Sequence, residues 1–206
     1  MDADSVQVNV VIRAEIDIGG RVQSSDERMS LKLINQGGSV QAELTAPGEV
    51  YGMSGTMTMY IKDNQIYINY DGLKIRRTLT KAEQNSMFST SQPAKYPASV
   101  VKEQETEVSG GKTTLRMTVS GDAIIDYYKK STGNDLAAGK VEIRDAVITA
   151  VVGRSGCLET FSMKYTVIDS SGEQTAVRDV NISAEYIQVG NTTIDFPEDL
   201  DTYESF

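Results

Sequence analysis

A chain of 206 residues, 39% hydrophobic and 24% charged, is long enough to bury a core and too apolar to remain disordered. Its formal charge of −9 repels a phosphate backbone, so no nucleic-acid partner is expected. With no histidine and one cysteine, the chain holds no Cys/His zinc cluster, Ser-His-Asp triad or Cys-His dyad of its own, and Cys157 has no internal disulfide partner.

The chain opens with Val6, Val8, Val10, Ile12, Ala14, Ile16 and Ile18 at every second position, the period of a long strand with one buried face. Gly19-Gly20 turns it into a return strand carrying Met29, Leu31 and Leu33, and the Asn35–Gly38 stretch turns again into Val40, Ala42 and Leu44. Tyr51, Met53, Gly55, Met57, Met59 and Ile61 then fall on one face. Turns at Lys62–Gln65 and Asp71-Gly72 continue an antiparallel meander through Ile66, Ile68, Leu73 and Ile75. Strands are thus expected over about residues 5–79. The nearest thing to a basic patch, Lys74, Arg76 and Arg77, is split by alternation, with Arg77 on the opposite face from the other two.

Alternation stops at Lys81. A short helix over about 80–88 is expected, followed by a loop with Pro93 and Pro97, so that 80–99 reads as a helical or lid segment. Strands over 100–119 form a hairpin across Ser109-Gly110-Gly111. A helix over 121–132 has Ala123, Ile124, Tyr127 and Tyr128 at helical spacing, Asp122 at its start, Lys129 and Lys130 at its end, and Gly133 as its stop. Further strands are expected within 140–195, at 140–152, 158–168 and 175–189 with a turn over 169–173, followed by an acidic tail over 196–206 that is largely solvated, with Phe196 and Tyr203 as points of attachment. The tail's carboxylates lack the spacing and the glycine of an EF-hand loop, and no metal or cofactor is expected. Two segments, Gly20–Gly38 and Gly153–Gly172, echo one another faintly, as a half-domain duplication or the chance similarity of two strand-hairpin-strand segments would each produce, the second being the more common.

The expected fold is α+β and mostly β: one domain over residues 1–206, built on a large curved antiparallel sheet, a half-barrel with short helices covering its concave face. A two-sheet sandwich is the alternative. The stretch Met59–Thr80, with its Tyr, short turn, Ile-Tyr strand, second turn and basic strand, and the closing Ile194–Tyr203 stretch resemble the uncharacterised exported bacterial lipoproteins whose fold is similar to the LolA/LppX lipoprotein-carrier group. That resemblance implies an apolar cavity under a lid able to take an acyl chain. It also implies export to the cell surface or beyond, and anchoring through an N-terminal lipidated cysteine, which this chain does not contain. The polar start Met1–Ser5 suits a chain trimmed just after an export signal.

Methionine adapts to irregular apolar partners, so the expected cavity lining is Met53, Met57, Met59, Met87, Phe88, Ile124 and Tyr128, with Met117 and Met163 elsewhere in the apolar pattern. A hydrophobic ligand, a lipid or acyl chain, is therefore the expected partner. An ordinary core role also accounts for any one of these methionines. The alternative is a surface module that recognises protein or cell-wall polymer through Tyr51, Tyr60, Tyr67 and Tyr70, side chains that serve equally well in cross-strand packing. No enzymatic activity is expected. Asp122 and Asp126, one helical turn apart, are the nearest approach to a carboxylate pair, and solvation on a helix surface explains them more simply.

Overall fold

The computed structural model describes residues 4–36, 39–50, 53–80, 83, 98–132 and 140–205. These residues form thirteen strands: β1 (Ser5–Ile18), β2 (Arg21–Gln36), β3 (Ser39–Val50), β4 (Met53–Lys62), β5 (Gln65–Tyr70), β6 (Leu73–Thr78), β7 (Val101–Ser109), β8 (Lys112–Val119), β9 (Val141–Ile143), β10 (Ala146–Val152), β11 (Leu158–Asp169), β12 (Ala176–Val189) and β13 (Glu204–Ser205). The helix α1 spans Gly121–Thr132 as expected. The hydrogen-bonded order is β13-β6-β5-β4-β3-β2-β1-β12-β11-β10-β8-β7, with β9 paired to β11. The mostly β, antiparallel sheet read from the alternation is therefore what forms. Most of the lid segment, residues 84–97, and with it Met87 and Phe88, lies outside the described residues, as does Tyr51.

The turns explain why the meander is so dense. Between β4 and β5, Asp63 and Asn64 have φ of 51° and 61°; between β5 and β6, Asp71 and Gly72 have φ of 46° and 93°. Two successive positive-φ residues make a turn whose twist matches that of the flanking strands, which lets two residues join them. Asn69 accepts the Gly72 N–H at 3.1 Å and steadies the second of these turns.

The described residues pack into two compact units, and β1, β2 and β12 each contribute residues to both. The first unit takes in the described residues of Met1–Val10, Glu27–Ala94 and Tyr186–Phe206. Its meander places apolar side chains in rows across one face. Leu33, Ala42, Ile61 and Ile66 stand opposite one another, then Leu31, Leu44, Met59, Ile68 and Ile75, then Ala46, Met57, Tyr70 and Leu73. Ala42, Ile61, Ile66 and Leu79 form the buried cluster, against which Leu33, Met59 and Ile68 pack while remaining half-buried. The opposite face carries Lys32, Glu43, Tyr60, Tyr67 and Arg76 in one cross-strand row, with Lys32 donating to Glu43 at 2.9 Å.

The last long strand, expected over 175–189, is β12, which ends at Val189, where Gly190 adopts φ of 89° and donates its N–H to the Ser5 carbonyl. The acidic tail keeps Glu198, Asp201 and Glu204 exposed but is docked more firmly than expected, through Leu200 and Tyr203. A single turn of 3₁₀ helix, Leu200–Thr202, leads into β13, which pairs in parallel with β6 through Glu204 opposite Ile75 and Ser205 opposite Arg76. Tyr203 is only 2% exposed, so this segment belongs to the core despite its four carboxylates.

The second unit takes in the described residues of Val11–Asp26 and Lys95–Glu185. Its apolar face is again built in rows: Met117, Ile148, Met163 and Ile182, then Leu115, Ala150, Phe161 and Ala184, with Val119 opposite Ala146. Val119 and Ala146 are fully buried. Helix α1 packs on β9, and a β-carbon at Gly121 would lie 1.7 Å from the Ile143 carbonyl oxygen, so only glycine allows this approach. Asp145 accepts the Gly121 N–H at 3.3 Å and both hydrogen bonds of Lys102, tying the helix start to β7.

Candidate functional site

Met57 and Met59 point to one face of β4, as the alternation required, and that face carries the rows described above in the first unit. Met59 sits between Leu44 and Ile68, and Met57 between Ala46 and Tyr70. Both are half-buried, whereas Ile61 and Ile66 beside them are only 4% exposed. The result is a graded apolar surface: a closed cluster around Ala42, Ile61, Ile66 and Leu79, bordered by flexible or branched side chains that still reach solvent. Thioether side chains at that border can conform to an irregular hydrocarbon without a fixed complementary shape.

The other expected lining residues fare differently. Met53 belongs to β4 and shares the parity of Met57, but its side chain lies outside what is described. Ile124 is on α1 in the second unit, half-buried, while its neighbour Ile125 is buried at 9% exposure. Tyr128 is also on α1, with its side chain outside the described residues. Sequence spacing had not singled out Ile125, because two adjacent isoleucines leave the choice of inward residue to the packing of the helix on β9. Met117 and Met163 flank Ile148 on the apolar face of the second unit and were found by alternation alone.

The tyrosines divide between the two faces. Tyr70 is 5% exposed on the apolar face and approaches Gly55, where a β-carbon would meet its hydroxyl at 3.0 Å. Tyr60 and Tyr67 lie on the opposite face, and the closing segment covers them. Phe196 stands 6.1 Å from Tyr60 at a tilt of 56°, and Tyr203 meets Tyr67 edge-on at 5.6 Å. Lys62 lies over Phe196 at 5.0 Å and Lys74 over Tyr203 at 5.8 Å. Two tyrosines that looked available for a partner are thus used within the chain.

Electrostatics in the first unit organise the two ends of β6 and follow the predicted split of its basic residues. On one face Lys74 donates to Asp199 of the closing segment, which holds that carboxyl below the usual range and raises the Lys74 ammonium. On the other face Arg77 makes a forked pair with Glu83 at 2.6 and 2.9 Å. Glu83 also accepts the Thr80 N–H and hydroxyl at 2.9 and 2.8 Å, and Thr80 Oγ1 accepts the Glu83 N–H at 3.2 Å. This reciprocal pair is a capping box, the helix start expected at residue 80, and its T-x-x-E signature is present in the sequence. The Arg77 fork, followed by the Thr80 donors, pulls the Glu83 carboxyl down to about 2. Burial, with Glu43 nearby, pushes the Tyr60 hydroxyl up, and burial does the same to Tyr203, whose hydroxyl has no hydrogen-bond partner among the described residues.

Two grooves among the described residues, both in the second unit, carry charged side chains of both signs. One of about 730 Å³ holds the Arg13–Asp26 ion pair together with Lys164 and Asp179; another of about 570 Å³ holds Glu105, Arg116, Ser162 and Lys164. Neither resembles an acyl-chain cavity. Asp122 and Asp126 are both exposed on α1. Cys157 is half-buried in the loop between β10 and β11, where its carbonyl accepts the Gly153 N–H.

No protein-family model matches the chain, and no curated protein matches its sequence. Among solved structures it is similar to LprF from Mycobacterium bovis, with a TM-score of 0.50 and 11% identity over 95% of this chain and 90% of that one. A domain from Vibrio parahaemolyticus described as that of an outer membrane lipoprotein-sorting protein aligns over 96% of this chain and 90% of that one, at a TM-score of 0.27 and 10% identity. Identity this low speaks to fold alone, and together with the strand order the chain has a LolA/LppX-like fold.

Proposed function

We propose that this protein is a non-catalytic, exported binder of a hydrophobic ligand, a lipid or acyl chain, held against the methionine-bordered sheet face of the first unit. The observation that carries the reading is the half-buried row Leu31, Leu44, Met59, Ile68 and Ile75 beside a closed core cluster. A large apolar face that is neither fully covered nor fully exposed is the ordinary setting of a greasy ligand. The LolA/LppX-like fold supports the same reading and an exported setting, since the group is one of lipoprotein carriers. The chain's catalytic repertoire is thin: it has no histidine, and its nearest carboxylate pair is exposed on a helix surface.

Each methylene laid on such a face contributes about 0.8 kcal/mol, so affinity should climb with acyl length until the face is filled. Native mass spectrometry of protein purified from a lipid-containing lysate should show an added mass that denaturation removes. Fluorescent acyl probes should bind, and Met59→Lys, which places a charge in the middle of the row, should abolish binding. A bare protein mass together with no uptake of acyl probes of any length would overturn the reading and turn attention to surface recognition.

A further inference from the structure

The second unit carries a groove that the apolar-ligand reading leaves unused. It is the one of about 570 Å³ that crosses β7, β8, β10 and β11, successive neighbours in the sheet. Register sets Glu105, Arg116, Thr149 and Ser162 opposite one another in a single row. Glu107 on β7, Thr114 on β8 and Lys164 on β11 each stand two residues further along, on the same face. Thr114, Thr149 and Ser162 are half-buried and form the floor, while Glu105, Glu107, Arg116 and Lys164 are exposed and form the rim. Among the described residues none of these side chains makes a hydrogen bond or ion pair, although Glu105 and Arg116 stand directly opposite with opposite charge. By contrast, Lys102 and Lys112 of the same hairpin are paired, with Asp145 and Glu159.

From this arrangement we propose that the groove binds a short peptide with both termini free, its ammonium at Glu105 and Glu107 and its carboxylate at Lys164. Arg116, between them, donates to the peptide's carbonyl oxygens. The site is a second one, separate from the apolar face of the first unit and independent of what that face holds. Its rim carries two charges of each sign, with both carboxylates at the β7 end, which matches neither a polyanion nor a polycation but suits a ligand charged oppositely at its two ends. The three inter-strand steps from β7 to β11 come to about 14 Å, the length of about four extended residues. Between its termini a peptide presents N–H donors and carbonyl acceptors in alternation, and the floor hydroxyls answer either, because each both donates and accepts. No aromatic side chain lines the groove, so it offers no ring surface on which a base would stack.

The test is titration calorimetry with tetraalanine, its N-acetyl form and its C-terminal amide, each blocked form lacking one terminal charge. Tetraalanine should bind, and each blocked form should bind about tenfold or more weakly, as the loss of a charged hydrogen-bond partner implies. Replacing both rim carboxylates, Glu105→Gln with Glu107→Gln, should weaken tetraalanine to the level of its acetylated form and leave the acetylated form unchanged. Lys164→Gln should do the same with respect to the amide. Glu142→Gln, a change of one charge on β9 outside the groove, should leave all three peptides unchanged. Every substituted residue is exposed, so circular dichroism should show the variants folded, and the comparison of free with blocked peptides needs only the wild-type protein. No binding of tetraalanine, equal binding of the blocked forms, or a discrimination that survives the substitutions overturns the site. Tighter binding of inorganic phosphate than of tetraalanine overturns it in favour of a simple anion site at Arg116 and Lys164. Each of these results leaves the acyl-chain reading of the first unit as it stands.

Discussion

Tyr203 offers the sharpest check on how the first unit is held together. Its ring is 2% exposed, packs edge-on against Tyr67 at 5.6 Å and lies beneath the Lys74 ammonium at 5.8 Å, yet its hydroxyl has no hydrogen-bond partner among the described residues. Truncation to alanine removes the ring and leaves a cavity, a change that costs about 3–5 kcal/mol for a buried aromatic. Of that cost, about 0.5–1.5 kcal/mol belongs to the Tyr67 pair. Tyr203→Phe keeps the ring and deletes only the hydroxyl. A buried hydroxyl without a partner carries a desolvation cost of about 1–3 kcal/mol, so the phenylalanine variant should match or exceed wild-type stability. Urea unfolding followed by near-ultraviolet circular dichroism reads both variants, the signal being dominated by tyrosine in a chain without tryptophan. A loss below about 1 kcal/mol in Tyr203→Ala would show that the closing segment is not docked as described. A loss of about 2 kcal/mol in Tyr203→Phe would show that the hydroxyl is engaged, and would refute the reasoning about its burial.

Three further outcomes follow from particular contacts. Because the Glu83 carboxyl is held down at about 2 against a usual 4.5, its contribution is fully present above 4.5 and lost as pH falls through that window. Melting temperatures from pH 6 to 2 should therefore fall more steeply for wild type than for Glu83→Gln. Gly121→Ala forces a β-carbon to within 1.7 Å of the Ile143 carbonyl oxygen, and thermal melts should show a loss of about 3 kcal/mol or more, or no folded protein. At Gly72, with φ of 93° and open space around it, alanine meets backbone strain but no neighbour. The cost should be about 1–2 kcal/mol by urea unfolding, clearly smaller than at Gly121.

Much of the candidate site was legible in alternation. Met57, Met59, Met117 and Met163 fall on the apolar faces because strand side chains alternate with a period of two whatever the sheet does next. The face of a helix is less well determined: of the two adjacent isoleucines of α1 it is Ile125 rather than Ile124 that is buried, a choice made by the helix's packing on β9. The Thr80–Glu83 capping box was present as a signature, but the fork from Arg77 that makes it a three-residue lock required β6 to deliver a guanidinium there.

The sequence by itself determined the strands, their tight turns and which side chains share a face, since these depend on local sterics and on a repeat of two. The tertiary structure decided what covers each face. Composition marked the closing segment as a largely solvated acidic tail with Phe196 and Tyr203 as its points of attachment, but only the fold supplied their partners, Tyr60 and Tyr67, and set Lys74 against Asp199. Those contacts join residues more than a hundred positions apart, and no local propensity encodes them. They form because burying two aromatic rings outweighs leaving a few carboxylates near the surface, where water and one lysine already satisfy them.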